Sequence, residues 1–268
     1  MTGPRFRLAA IDLDGTLLRS DETISPRTRA ALDDAGERGV AVVLASARSP
    51  RSVGEFGAEL GLGGLAICAN GATVYDLDLR RIVEHRPLAL ETVQALVAGL
   101  RERVPGVAFG WELELTFGSE PAYEELRDPR WPRPEGSFAP CDALAFGRPV
   151  TKLLAQHSET ALDDLYPVAV ELAGDDASVT LAGNAFVELA APGVSKGAAL
   201  AALSESRGVD ADRVVAFGDH LTDVPMLAWA GLGVAVANAH PAALDAADEV
   251  TASNDQDGVA LVLERLLA

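Results

Sequence analysis

An α/β fold with a parallel sheet, interrupted by an α+β insertion, is the class this sequence predicts, and three observations carry it. Short apolar runs alternate with amphipathic stretches at both ends of the chain, as they do where helices cross over between parallel strands. The middle, from about Glu84 to Asn184, breaks that rhythm. With 268 residues, 49% of them apolar, the chain is long enough to bury the core of one large or two modest domains.

Phe6 to Ile11 reads as a buried strand. Ser25 then caps a helix that has Pro26 in its first position and stops at Gly39. Val40 to Leu44 is a continuous apolar run rich in β-branched valine, as expected of a strand covered on both faces. A helix around Arg51 to Leu60 and a strand at Leu65 to Ala69 complete the first third. The middle holds a helix from Leu90 to Arg103, a strand from Val107 to Leu115, and a proline-rich stretch, Asp128 to Pro134, whose composition predicts an exposed loop. A strand at Thr151 to Gln156, a helix around Glu159 to Leu172 and a strand at Ser178 to Leu181 follow.

The last third begins with a strand at Phe186 to Ala190, a helix from Ser195 to Arg207 and a buried strand at Val214 to Phe217. A short helix at Pro225 to Ala230, a strand at Gly233 to Ala237, a helix at Ala242 to Ala247 and an amphipathic helix from about Gln256 to Leu267 close the chain. The expected organisation is a core of residues 1–84 and 185–268 with an α+β domain, 85–184, inserted into it.

Against 40 Asp and Glu stand 22 Lys and Arg, a formal net charge of -18. That balance argues against nucleic acid and anionic membrane surfaces as partners, because both need a clustered cationic face. An anionic substrate must then be met by local positive charge or by a metal ion. Cys68 and Cys141 cannot make a disulfide framework, and Cys68 reads as a small buried hydrophobe. No apolar run approaches the ~18–20 residues of a membrane helix, and no signal-peptide pattern precedes the first acidic run, so a cytoplasmic protein is expected.

The chemistry concentrates where strands end. In Ile11-Asp12-Leu13-Asp14-Gly15-Thr16 two aspartates sit two apart, just where a buried strand stops and a glycine lets the chain turn. The carboxyl end of a strand in an open parallel sheet borders the ligand crevice. Alternation predicts Asp12 and Asp14 on one side, where two carboxylates repel unless a cation lies between them. Taken alone the segment also fits a turn in which aspartate caps backbone amides. Gly218-Asp219-His220-Leu221-Thr222-Asp223 brings a second acidic pair to the same edge. Asp219 can complete an all-oxygen magnesium site with Asp12 and the Asp14 carbonyl. Ser46 ends the second strand and can offer a hydroxyl to a phosphate oxygen. Lys196, one of only two lysines, starts a helix whose positive end reinforces its charge.

These four segments, in this order and spacing, resemble the haloacid dehalogenase superfamily of phosphatases. The insertion between the second and third motifs resembles the Cof-like subfamily, subclass IIB, with its large α+β cap. Asn70-Gly71-Ala72, Val234 to Ala239 and Asp257-Gly258-Val259 are similar to secondary signatures of that subfamily. Ala47 stands where the second motif usually has glycine before its arginine, here Arg48, and Thr222 where the fourth usually has asparagine.

The resemblance implies a Rossmann-like core with a cap domain, and a magnesium-dependent phosphomonoester hydrolase. Asp12 is the implied nucleophile, forming an aspartyl-phosphate, and Asp14 the acid that protonates the leaving oxygen and then the base that activates water. Asp12, Asp14, Asp219 and Asp223 are implied at the Mg2+ ion, with Asp223 holding a metal-bound water or orienting Lys196. Gly15, Thr16, Ser46 and Lys196 are implied around the phosphoryl group. Ala47, Arg48, Asn70 and Thr222 join them at the substrate. His220 reads as a loop residue, since Asp14 fills the acid–base role. Trp111, Glu112, Arg130 and Trp131 are candidate cap contacts, with ordinary core or surface placement as the competing reading.

The implied partner is a small phosphorylated metabolite, a sugar phosphate first, and the implied assembly a monomer or weak homodimer. A phosphotransferase or phosphomutase with the same nucleophile, and a phospho-ligand-binding regulator with little turnover, are the rival functions. A dehalogenase does not need Asp14, and a dinucleotide-binding fold would carry glycines where this chain has acids.

Overall fold

The computed structural model describes residues 4–127, 134–182 and 185–268. The first stretch forms β1 (Leu8–Asp12), α1 (Pro26–Glu37), β2 (Ala41–Ala45), α2 (Pro50–Glu59), β3 (Leu65–Cys68), β4 (Thr73–Asp76) and β5 (Arg81–His85). Next come α3 (Leu90–Arg103), β6 (Ala108–Leu113), β7 (Thr116–Ser119), α4 (Pro121–Leu126), α5 (Ala143–Phe146), β8 (Lys152–Gln156), α6 (Leu162–Ala173), β9 (Ser178–Ala182) and β10 (Phe186–Ala190). The chain ends in α7 (Lys196–Ser206), β11 (Val214–Gly218), α8 (Val224–Trp229), β12 (Leu232–Ala235), α9 (Pro241–Ala246), β13 (Glu249–Val250) and α10 (Gly258–Leu267).

An eight-stranded sheet runs in the order β13-β12-β11-β1-β2-β3-β4-β5. Strand β1 pairs in parallel with β11 on one side and β2 on the other, so sheet growth reverses there. Such a switch point opens a crevice at the carboxyl ends of the strands. The apolar run of β1 follows from burial on both faces. Ala9 and Ile11 pack into a core with residues of α1 and α10, while Leu8 and Ala10 join residues of α7 and α8. The start of α1 is set as the Ser25-Pro26 pair predicts: Ser25 Oγ accepts from the Thr28 N–H at 3.0 Å.

A second sheet, fully antiparallel, runs β7-β6-β8-β10-β9. Phe109 and Trp111 of β6, Leu153 and Ala155 of β8, and Val187 and Leu189 of β10 share a core with residues of α3 and α6. Strand alternation puts Glu112, Lys152 and Glu188 on the opposite face.

The chain divides into two compact units, one of Ser52–Val83, Ser195–Ala268 and the residues up to Arg48, the other of Ser49–Arg51 and Glu84–Val194. The expected boundary at residue 185 is therefore corrected to Ser195. Strand β10 pairs antiparallel with β8 and β9, not with the parallel sheet. A five-residue buried strand has the same composition in either sheet, and only its pairing decides. The Gly183-Asn184 dipeptide, a hairpin signal between two β runs, is what could have assigned it. The expected strand at Val107 to Leu115 is a β6–β7 hairpin, and β4 extends the parallel sheet with an antiparallel strand the periodicity did not suggest. Of the expected loop Asp128 to Pro134, residues 128–133 lie outside the described residues. Among the described residues no helix is long and apolar enough to cross a membrane.

Candidate active site

Four chain segments meet at the carboxyl edge of β1 and β11. Asp12 is the last residue of β1 and only 4% exposed. The chain then makes one wide turn, Leu13–Leu17, closed by the Leu18 N–H donating to the Leu13 carbonyl at 2.8 Å. Gly15 occupies the left-handed region at φ 80° within that turn, and a Cβ there would stand 2.5 Å from Asp219 Oδ2. Glycine is thus required twice, by conformation and by close approach. The turn is tied down: Thr16 Oγ1 donates to Asp219 Oδ1 at 2.8 Å, and Asn238 Nδ2 donates to the Gly15 carbonyl at 2.8 Å.

Lys196 is the first residue of α7, whose start Ser195 caps by accepting from the Ala198 N–H at 3.1 Å. Its ammonium is 2% exposed and donates to Asp12 Oδ1 at 2.5 Å and Asp223 Oδ1 at 2.6 Å. The other oxygen of Asp223 accepts from the main-chain N–H groups of Asp219 at 3.0 Å and His220 at 2.9 Å. Both oxygens of Asp223 are therefore engaged.

Burial pushes the Asp12 carboxyl well above the usual carboxylate range; the Asp223 carboxylate pushes the same way and Lys196 pulls back. Burial likewise raises Asp219, against the hydrogen bond from Thr16. Burial disfavours the Lys196 charge, but Asp12 and Asp223 outweigh it and hold the ammonium above its ordinary pKa.

Asp12, Asp219 and Asp223 each offer an oxygen, and these atoms lie within 4.8 Å of one another. Three carboxylates against the one ammonium of Lys196 leave two negative charges, the charge of one divalent cation. An all-oxygen set of this kind suits a hard ion such as Mg2+. The donors present fit the ion implied by the motifs.

The structure turns the Asp14 side chain away from these three carboxylates, a correction to the alternation that put it on one side with Asp12; the ligand expected from this residue is its main-chain carbonyl. Alternation fails beyond Asp12 because the wide turn replaces the strand. The Asp14 side chain is 50% exposed and accepts from Arg48 Nε at 2.8 Å and Arg48 Nη2 at 2.5 Å. Arg48, expected at the substrate, has its guanidinium committed to that carboxylate. Ser46 is fully buried at the end of β2, and its Oγ accepts from the Arg48 N–H at 3.1 Å, which leaves its own O–H to donate elsewhere. Ala47 is half-buried between them.

Asn70 follows β3 at φ 56°, buried, its N–H donating to the Ser46 carbonyl at 3.1 Å. Thr222 is half-buried in the turn that carries Asp223, and His220 is exposed. Sequence reasoning did not assign Asn238 or Gly71 a role at the site. Asn238 accepts from the Asn254 N–H at 3.0 Å and so braces the Asp14 turn from behind. At Gly71, φ 103°, a side chain would collide with the Ser195 carbonyl just before Lys196. Both lie in segments the sequence marked, but their contacts span distant positions in the chain.

In the other unit, Trp111 is a core residue, 1% exposed, its ring tilted against that of Phe146 with the centroids 4.8 Å apart, so the competing reading holds for it. Glu112 lies 3.4 Å from Arg51, its carboxyl raised by burial against that cation, and Lys152 pairs with Glu188 on the same face. Arg130 and Trp131 lie outside the described residues.

A family model described as haloacid dehalogenase-like hydrolase matches residues 9–263. The chain is 30% identical over 257 residues to a 5-amino-6-(5-phospho-D-ribitylamino)uracil phosphatase of Bacillus subtilis, covering 95% of this chain and 93% of that one. It is 29% identical over 265 residues to a pyridoxal phosphate phosphatase of Escherichia coli, covering 95% and 96%. Among solved structures, a haloacid dehalogenase-like hydrolase from Bacteroides thetaiotaomicron superposes with a TM-score of 0.80 at 29% identity, over 97% of this chain and 99% of the other.

Proposed function

Because this chain belongs to the haloacid dehalogenase-like hydrolase family, we propose that it hydrolyses phosphate monoesters of small metabolites, sugar phosphates first, through an aspartyl-phosphate on Asp12. The observation that carries this reading is the ammonium of Lys196 shared by Asp12 and Asp223, beside the Asp219 carboxylate. In that arrangement the Lys196 ammonium offsets part of the cost of ionising the buried nucleophile and presents positive charge where a phosphoryl group would bind.

Asp12, the Asp14 carbonyl, Asp219 and Asp223 would hold Mg2+, which would supply the charge that lets an anionic ester approach a carboxylate. Asp12 attacks phosphorus; as that bond forms, the bond to the ester oxygen breaks and the oxygen takes the Asp14 proton. Water then attacks the phosphorus of the aspartyl-phosphate and gives its proton to Asp14. The Asp12–phosphorus bond breaks, phosphate leaves, and Asp14 is again an acid. Ser46 Oγ–H and Lys196 donate to the phosphoryl oxygens throughout, while Asp223 keeps Lys196 aimed.

The relatives named for a phosphoribityl compound and for pyridoxal phosphate support a panel that spans sugar and heterocycle esters. The test is phosphate release from that panel with magnesium and then with EDTA. Metal-dependent release from one group of esters is the expected result. Silence across the panel with magnesium present overturns the reading.

A further inference from the structure

Arg48 stands between two carboxylates. Besides its bonds to Asp14, its Nη2 lies 3.6 Å from Glu22 Oε1. The guanidinium rests on the Phe56 ring, 4.1 Å from the centroid, and the Arg48 side chain is 14% exposed. Asp14 and Glu22 are 50% and 62% exposed, so the cation is the anchored member and the acids the movable ones. The turn bearing Glu22 is itself anchored: Ser20 Oγ donates to Asp255 Oδ2 at 2.7 Å, and Arg19 Nη2 to Asp257 Oδ1 at 2.7 Å. Glu22 takes the left-handed region at φ 63°, and its N–H donates to the Arg19 carbonyl at 2.9 Å.

On the hydrolase reading above, Asp14 has to reach the ester oxygen, and while it grips Arg48 it is held away from the Asp12 cluster. We infer that Arg48 is a positioning residue with two alternative partners, holding Asp14 between turnovers and passing to Glu22 when Asp14 turns to the leaving oxygen. A guanidinium largely withdrawn from water loses its charge-assisted bonds if its carboxylate departs with no replacement. Glu22 supplies the replacement and so eases the release of Asp14. No bond is made or broken in the exchange; one ion pair is traded for another. Because the Arg48 N–H also holds Ser46 Oγ, the guanidinium can change partner while the phosphate-binding hydroxyl stays in place.

The test uses leaving groups of different demand. p-Nitrophenolate departs without a proton, whereas an alkoxide needs the acid. The measured quantity is kcat/KM, which ends at the first irreversible step, for p-nitrophenyl phosphate and for the alkyl phosphate the wild type turns over fastest. For Glu22→Gln, the alkyl value is expected to fall about 10-fold and the nitrophenyl value to stay within about twofold, because general acid catalysis serves only the former. Glu22→Asp should recover part of the loss.

An unchanged ratio in Glu22→Gln, or an equal fall on both esters, overturns the partner exchange and leaves the hydrolase reading standing. A wild type that releases phosphate from neither ester overturns both.

Discussion

Asp223 holds Lys196 with one oxygen, at 2.6 Å, and two main-chain N–H groups with the other, so a rigid turn aims the ammonium at Asp12. The Asp12 and Asp223 carboxylates and the Lys196 ammonium are each buried, and none of the three charges is free to reorganise into water. Such preorganisation is what gives charge its catalytic value.

Asp12→Asn removes the nucleophile and keeps the volume. Turnover should fall by about 10³-fold or more, as when other covalent nucleophiles are removed. Because burial disfavours the Asp12 charge, the melting temperature should not drop. Circular dichroism melts alongside phosphate release check both halves, and substantial residual turnover would sink the covalent mechanism.

Lys196→Met leaves Asp12 and Asp223 buried with no cation. Breaking a buried ion pair by removing one partner typically costs about 3–5 kcal/mol, so a large loss in denaturant midpoint is expected. In the double variant with Asp12→Asn the loss should be smaller than the sum, since the two sites share one interaction. Strict additivity would mean that the pair is not coupled.

Magnesium and protons should compete. Asp12 and Asp219 have carboxyls raised on folding, so without a divalent ion their contribution is favourable at low pH and is lost as pH rises through the raised values. Bound magnesium needs the ionised forms and reverses that trend. The rise in melting temperature on adding magnesium should therefore be larger at about pH 8 than at about pH 5. Equal rises at both would show that the ion binds away from these carboxylates.

Asn238→Ala removes the brace on the Gly15 carbonyl. A loss of about 1 kcal/mol, that of one hydrogen bond, is expected in urea melts. Turnover should fall more than magnesium affinity, because the brace supports the Asp14 turn and not the metal donors. The reverse ranking in a titration would place the brace on the wrong group.

Gly71→Ala meets two obstacles, a left-handed backbone and the Ser195 carbonyl. A destabilisation of about 1–3 kcal/mol is expected for the backbone alone, with lost activity because α7 shifts and takes Lys196 with it. A crystal structure of the variant with Lys196 unmoved would refute the second half.

What the amino-acid sequence determined by itself was the parallel sheet and the ends of its strands. Apolar runs such as Leu8 to Ile11 and Val214 to Phe217 are buried on both faces, and that burial is written in composition. Asp12, Ser46, Lys196 and Asp219 were legible as candidates because each sits where such a run stops or a capped helix starts, a local signal. Long-range pairing decided the rest. Strand β10 joined the antiparallel sheet because β8 and β9 offered it hydrogen-bonding edges, which its five residues do not reveal. Asp14 left its neighbour Asp12 for Arg48, 34 positions away, because a wide turn swung its side chain out of alternation. Trp111 and Glu112, adjacent in sequence, were divided between a core and a charged face by the pleat. In each case the deciding contact is between residues distant in the chain, and its free energy appears only when the sheets have closed.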